Sequence, residues 1–480
     1  MKKWLTAAAA AVLLLQSLLL ILSVFCRPPG TDEAWIAEWA WFEAREGHAR
    51  SELFRGYCHY EDRVVLLHRL FELTASWLIR LAGFRLWILR TWVVCTSAAL
   101  LFLVFRFCRR RDPGGPAIAA PAVLLLFPLF FKASGFFRPE IMWALLGFGS
   151  FTLLSGAGRG WRTASVSGLL AGLAVVTHIG GLVFLLPGAV LLAWERRPRD
   201  LLPYFGGAAV ALIPWLAEIL SHYDLLLLQA RGEIVQAKTS FSALTPLMNL
   251  LQEHERLFRN PESISASVLV ITAVIATAGE TLRRNRDLYR YLLAAAVTMG
   301  VISSTKTVTY TVPLLPLGSA AVFLALGDWL RGRPLGLLPR TRRWAMAVAL
   351  SATAALGLWR SAGVVSGGVH LPERDNRPAG EVMPPGSSCL APLHFVFGQI
   401  QDHRIGSLYL WRTLSDDSDV LRMDDLLAYA GDFGAGYIVL DSYWEERIGG
   451  CREFLENPPE GLAVCKAGEL SVVEVVSPVR

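Results

Sequence analysis

The sequence predicts a polytopic α-helical membrane protein followed by a small α/β domain. Three observations predict this. Of its 480 residues 54% are hydrophobic and the mean hydropathy is +0.43, which is too apolar for an ordinary soluble domain. Apolar runs of about 16 to 22 residues, long enough to cross a bilayer as helix, recur between residues 4 and 361. Beyond residue 370 the runs shorten and acidic residues return, which marks a soluble region of about 110 residues, a size able to fold on its own.

The elements follow in order from the basic residues. Lys2 and Lys3 start the chain, and arginines cluster at 109–111, at Arg159 with Arg162, at Arg196, Arg197 and Arg199, at Arg283, Arg284 and Arg286, and from Arg331 to Arg343. Positive residues collect in cytoplasmic loops. Placing every cluster inside gives spans at 4–25, 84–107, 117–132, 139–156, 162–178, 179–194, 201–221, 264–281, 288–303, 309–328 and 343–361, about eleven crossings with the tail outside. Residues 64–82 must then not cross; His68, Arg69, Glu72 and Arg80 interrupt that run, as in a helix lying at the interface. The first run is too long for a typical signal-peptide core and lacks a small-residue cleavage site, so it is expected to remain as the first span.

The expected division is a transmembrane domain over 1–365, with juxtamembrane helices in the first outer loop at 27–83, and an extracytoplasmic domain over 366–480. In the tail, "SSCLAPLHFVFG" (387–398), "AGYIVLDS" (435–442) and "LSVVEVVS" (470–477) have the pattern of strands, and "MDDLLAYAGDFG" (423–434) that of a helix stopped by glycine. The seven cysteines show no metal-site spacing; Cys451 and Cys465 are open to pairing in an oxidising compartment or to remaining as thiols. The net charge of +6 is mostly loop arginine without interleaved aromatics, so no nucleic-acid partner is expected.

This topology gathers ionisable residues on the outer side: Asp32 and Glu33 in the first loop, Arg138 and Glu140 in 131–140, His178 in 177–181, the long loop 222–263, and Lys306 and Tyr310 in 304–310. Charged groups at membrane depth are costly and usually functional. Each also has a plainer use. Thr31 or Asp32 suits a helix N-cap, and acids suit a first turn. Trp35, Trp39 and Phe42 share one helical face, as in a helix held in the headgroup zone. Arg138 suits an interfacial position, and Lys306 and Tyr310 share a face if their segment is helical.

The order of these segments resembles the C-type (GT-C) polyprenol-dependent glycosyltransferases, closest to the protein O-mannosyltransferase and lipid A aminoarabinose transferase group. "GTDEAWIAEWAWFEAREG" (30–47) looks like the first outer loop of that group and "FRPEIMWALLG" (137–147) like its second motif. "SVSGLLAGLAVVTHIGGLVFLLPG" (165–188) is similar to its glycine-rich span pair, with His178 where many members carry lysine. "STKTVTYTVPLLPLGSAAVFLALG" (304–327) resembles its K-x-x-x-Y-x-x-P-x-x-P region, and "MPPGSSCLAPLHFVFG" and "GAGYIVLDS" are like its small outer domain. Two departures stand out: no Pro-Pro-Leu precedes residue 64, and Arg-Pro-Glu replaces an aspartate-bearing motif.

The resemblance implies a GT-C fold in the cytoplasmic membrane, a site facing the periplasm or outside, and inverting transfer from a polyprenyl-phosphate sugar to a lipid, glycan or protein hydroxyl. Such transfer needs a base for the acceptor proton and positive charge at the departing phosphate. Asp32 is the candidate base, with Glu33 orienting it or holding the acceptor. Arg138, Glu140, His178, Lys306 and Tyr310 are the candidates for donor and phosphate binding. Asp32 and Glu33 also suit a divalent cation such as Mg²⁺, Mn²⁺ or Ca²⁺, although the motifs do not require one. A transporter or flippase, or a lipid-linked glycan ligase or polymerase, is the alternative; a transporter would place its charges near mid-bilayer on broken helices in two related halves.

Overall fold

The computed structural model describes residues 2–65, 68–156, 160–236, 244–277, 279–331, 339–414, 421–460 and 462–475. Arg159, Arg333, residues 66–67 of the interfacial run, 237–243 of the long loop and 476–477 of the last tail segment lie outside this set. The chain forms two compact units, one of residues 1–26, 66–71 and 90–368, the other of residues 27–65, 72–89 and 369–480.

The first unit is a helical assembly. Helix α1 (Lys2–Cys26) belongs to it; α2 (Thr31–Glu46) and most of α3 (Arg69–Ala82) belong to the second unit. The first unit continues through α4 (Leu86–Arg111), α5 (Ala119–Leu126), α6 (Pro128–Ser134), α7 (Glu140–Leu154), α8 (Trp161–Thr177), α9 (Leu182–Trp194) and α10 (Leu201–Ser221). After α11 (Tyr223–Gln236), α12 (Thr245–Leu251) and α13 (Glu253–Leu257) come α14 (Pro261–Ala276), α15 (Gly279–Arg284), α16 (Arg286–Ile302), α17 (Leu315–Leu330) and α18 (Pro339–Ser366).

Helix stands at each of the eleven expected spans, but among the described residues only five of these helices are long and apolar enough to cross a membrane: those at Lys2–Cys26, Leu86–Arg111, Pro198–Ser221, Val308–Leu330 and Arg343–Ser366. The other six are shorter or broken. Pro128 divides the 117–132 run into α5 and α6, because proline has no N–H to continue the ladder. Helix α3 has 14 residues, about 21 Å of rise, too short for a hydrocarbon core of about 30 Å.

Glycine sets the close packing of α8 on α10. A Cβ on Gly168 would sit 1.8 Å from the Tyr204 carbonyl oxygen, and one on Gly207 would sit 1.9 Å from that of Ser165. Small residues allow such backbone approach in lipid. Polar groups inside the bundle are matched: Ser150 and Ser167 hydroxyls bond at 2.8 Å, and Ser361 donates to Gln16 at 2.9 Å. Pro187 lies inside α9, and beside it the hydroxyls of Tyr291 and Tyr204 donate to the carbonyls of Phe184 (2.9 Å) and Leu185 (3.0 Å). These satisfy backbone where a proline loosens the ladder.

The second unit contains a five-stranded mixed sheet. Its strands are β1 (Ser388–Ala391), β2 (Arg404–Ser407), β4 (Tyr437–Leu440), β6 (Ala463–Ala467) and β7 (Leu470–Glu474); β3 (Leu421–Arg422) and β5 (Ile448–Gly449) form a separate pair. The spatial order is β2-β1-β4-β7-β6, parallel across β2, β1 and β4 and antiparallel across β4, β7 and β6. Leu390, Leu408, Trp411, Leu426, Ile438, Trp444 and Val473 build its core. Helix Met423–Phe433 ends at Gly434 in the left-handed region (φ 73°), the expected glycine stop. The first expected strand is cut short. It ends at Ala391, because Pro392 cannot donate to a ladder and residues 393–399 turn helically. All seven cysteines are free thiols; Cys451 is buried and Cys465 exposed.

Candidate functional site

In the first unit the end of α8, the start of α7 and the segment Val308–Leu314 converge. Arg138 pairs with Glu140 at 2.6 Å just before α7, where the proline-started helix turns both side chains back on one another. Glu140 is buried, whereas Arg138 keeps part of its surface exposed. His178 lies in extended backbone (φ −161°, ψ 136°) where α8 gives way to a short 3-10 turn. Its Nδ1 accepts the Gly180 N–H at 2.9 Å, so the proton of the neutral ring is on Nε2. The ring stacks against Trp143 of α7 (5.2 Å, 21°) and meets Tyr310 edge-on at 5.3 Å. Arg138 with Glu140, His178 and Tyr310, from three separate stretches of the chain, thus form one cluster.

Lys306 belongs to a neighbouring network. Its Nζ donates to the carbonyls of Asn249 (2.6 Å) and Ser303 (2.9 Å) and pairs with Glu253 at 3.2 Å. Glu253 also holds Arg256 at 3.0 Å, and Arg256 donates to Ser303 Oγ (2.6 Å) and the Thr305 carbonyl (2.9 Å). Burial pulls the Lys306 ammonium below its ordinary pKa, and Glu253 opposes that shift. Lys306 and Tyr310 do not share a helical face. Residues 303–307 are irregular and a 3-10 turn begins at Val308, in a stretch of β-branched residues closed by Pro313.

Sequence reasoning missed Glu253, Arg256, Trp143 and His68 as members of these clusters. The first two lie in "EHER" of a long loop and the third reads as an ordinary core aromatic. His68 entered only as an interruption of an apolar run. It takes a left-handed conformation (φ 57°) and stacks on His178 (5.1 Å, 27°). Left-handed backbone costs a non-glycine residue roughly 1–2 kcal/mol, and such strain gathers at functional sites. Burial, with the Arg138 guanidinium adding to it, holds the His68 imidazole well below the ordinary histidine range.

Asp32 and Glu33 belong to the second unit, in the first turn of α2. The N-cap is Gly30 rather than Thr31 or Asp32: the Gly30 N–H donates to the Glu33 carboxylate at 2.7 Å, and the Glu33 N–H donates back to the Gly30 carbonyl at 3.1 Å. Half-buried Asp32 accepts the Trp35 indole N–H at 3.3 Å. The expected lipid-facing aromatic stripe is instead a small core. Trp39 and Phe42 are buried, Trp35 meets Trp39 (4.5 Å) and Phe54 (6.3 Å), and Trp39 stacks on Tyr60 (6.1 Å). Buried Glu38 binds the loop beneath by accepting the Ser51 hydroxyl and the N–H groups of Glu52 (2.8 Å) and Leu53 (3.0 Å). Among the described residues no three His, Cys, Asp or Glu side chains converge as metal ligands.

The chain has the fold of solved structures of ArnT, an oligosaccharyltransferase and an arabinofuranosyltransferase. No family model and no curated protein sequence matches the chain. Solved structures do match. ArnT from Cupriavidus metallidurans bound to undecaprenyl phosphate aligns with TM-score 0.60 at 14% identity over 100% of both chains, and its apo state with TM-score 0.61 at 14% identity over 100% of this chain and 99% of that one. The oligosaccharyltransferase of Archaeoglobus fulgidus tethered to an acceptor peptide aligns with TM-score 0.54 at 12% identity over 90% of this chain and 69% of its own. The arabinofuranosyltransferase AftD from Mycobacteria aligns with TM-score 0.53 at 15% identity over 100% of this chain and 40% of its own.

Proposed function

We propose that this protein is an inverting glycosyltransferase that moves a sugar from a polyprenyl-phosphate donor to an acceptor hydroxyl at the outer face of the cytoplasmic membrane. The observation that carries the proposal is the Arg138–Glu140–His178–Tyr310 cluster in a fold shared over its full length with a structure that holds undecaprenyl phosphate. Residues 1–365 form the transmembrane catalytic domain with about eleven crossings, and 366–480 the domain outside.

The acceptor oxygen forms a bond to the anomeric carbon as the carbon–phosphate-oxygen bond breaks, leaving polyprenyl phosphate and an inverted linkage. Asp32 takes the acceptor proton. Glu33 fixes the helix start that presents Asp32. Arg138, with Glu140 restraining it, offers charge to the departing phosphate; the Nε2–H of His178 and the Tyr310 hydroxyl are uncharged donors to the same group. Lys306, tied to Glu253 and two carbonyls, contributes positive field.

The test is transfer from a radiolabelled polyprenyl-phosphate sugar by protein purified into vesicles. Wild type should remove label from the lipid. Asp32→Asn should reduce turnover by about 10² to 10⁴, the usual cost of losing a general base, while the protein remains in the membrane. Turnover near the wild-type rate in that variant removes Asp32 from the mechanism.

A further inference from the structure

We propose that His68 is a positioning residue: it fixes the His178 ring for contact with the phosphate of the lipid-linked donor. The proposal rests on the transferase reading above and deepens it. His68 departs from the backbone conformation expected of a non-glycine residue (φ 57°) and thereby lays its imidazole on that of His178 at 5.1 Å and 27°. It also makes a hydrogen bond with the backbone of Thr177, the last residue of α8 and the neighbour of His178.

The chain just after His68 is anchored twice. Arg69 Nε donates to Glu218 of α10 at 2.7 Å, and the Phe71 ring lies 4.7 Å from that of Phe137, next to Arg138. His178 has the other marks of a held donor: Nδ1 is occupied by Gly180, Trp143 stacks on the ring, and a Cβ on Gly180 would collide with Nδ1 at 2.8 Å and with the Trp143 ring at 2.9 Å. With Nδ1 occupied and the ring plane set by two stacked neighbours, only the Nε2–H remains to be aimed. His68 supplies one of those neighbours from a separate part of the chain.

The experiment is a double-mutant cycle on the full-length protein in vesicles, measuring kcat and the donor KM for wild type, His68→Ala, His178→Ala and the double variant, with melting temperature in detergent as the fold control. His68→Phe, which keeps an aromatic face, is included as the conservative variant. His68→Ala is expected to lower kcat/KM for the donor about tenfold, His68→Phe to recover much of that loss, and the double variant to be no worse than His178→Ala alone, because residues acting through one another are not additive. Wild-type rates in His68→Ala, or losses that multiply in the double variant, overturn the inference while leaving the transferase reading in place. Failure of the wild type to consume the donor overturns both. If His68→Ala fails to fold, His68→Leu, which also removes the aromatic face, and His68→Leu/His178→Ala take its place under the same criterion.

Discussion

Glu38 shows what one buried carboxylate contributes to the second unit. Burial pushes its pKa up from an ordinary 4.5 to about 8, against the hydrogen bonds from Ser51, Leu53 and Glu52 that favour the charged form. The folded chain therefore keeps a proton that the unfolded chain releases above its own pKa. That contribution is complete below about pH 4.5 and is lost as pH rises toward 8, a difference on the order of a few kcal/mol. The melting temperature in detergent should fall between pH 5 and 8, and Glu38→Gln, which keeps the acceptor oxygen, should flatten the slope; an unchanged slope assigns the dependence to another group. Other residues at this scale differed in how far the sequence revealed them. Arg138 and Glu140 flank a single proline, so their closeness was legible. Sequence spacing gave no sign of His68, because a left-handed φ and a contact with a residue more than a hundred positions away leave no periodic trace.

The helices were legible as apolar runs, since hydrophobic length is what a bilayer selects. Their interruptions were less so: Pro128 and Pro313 lie within apolar stretches, and hydropathy does not register a missing N–H. The aromatic face of α2 had the right period but faces the loop's own Phe54 and Tyr60, because an amphipathic stripe suits protein as well as lipid. Glycine, in contrast, makes a testable claim about an element. Gly168 and Gly206 flank the same pair of helices, α8 and α10, yet only Gly168 meets a facing backbone; nothing lies within 4 Å of a Cβ on Gly206. Gly168→Ala should force α8 away from α10 and destabilise by about 1–3 kcal/mol. Gly206→Ala should be neutral or stabilising by up to about 1 kcal/mol through helix propensity. Thermal unfolding of the two variants side by side separates them, and equal behaviour would mean that the helices do not depend on this approach.

At the scale of the whole molecule the decisive quantity is the parity of crossings. The N-terminal lysines and every basic cluster assign one side; eleven crossings bring the tail to the other, and a twelfth at residues 64–82 would return it inside. Arg69, Glu72 and Arg80 on α3 argue for the odd count, since they would lie within the hydrocarbon if it crosses. A thiol in the tail reports the answer directly. Cys465 is exposed on β6, while Cys451 is buried and Cys58, between α2 and α3, is only half-buried. In a Cys58→Ser background, a membrane-impermeant maleimide added to cells with the cytoplasmic membrane intact should label the protein, and Cys465→Ser should abolish that label. Labelling that appears only after the membrane is permeabilised would place the tail inside. It would require residues 64–82 to cross and would move Arg138, His178 and Lys306 to the cytoplasmic side, where nucleotide sugars rather than lipid-linked ones are the available donors.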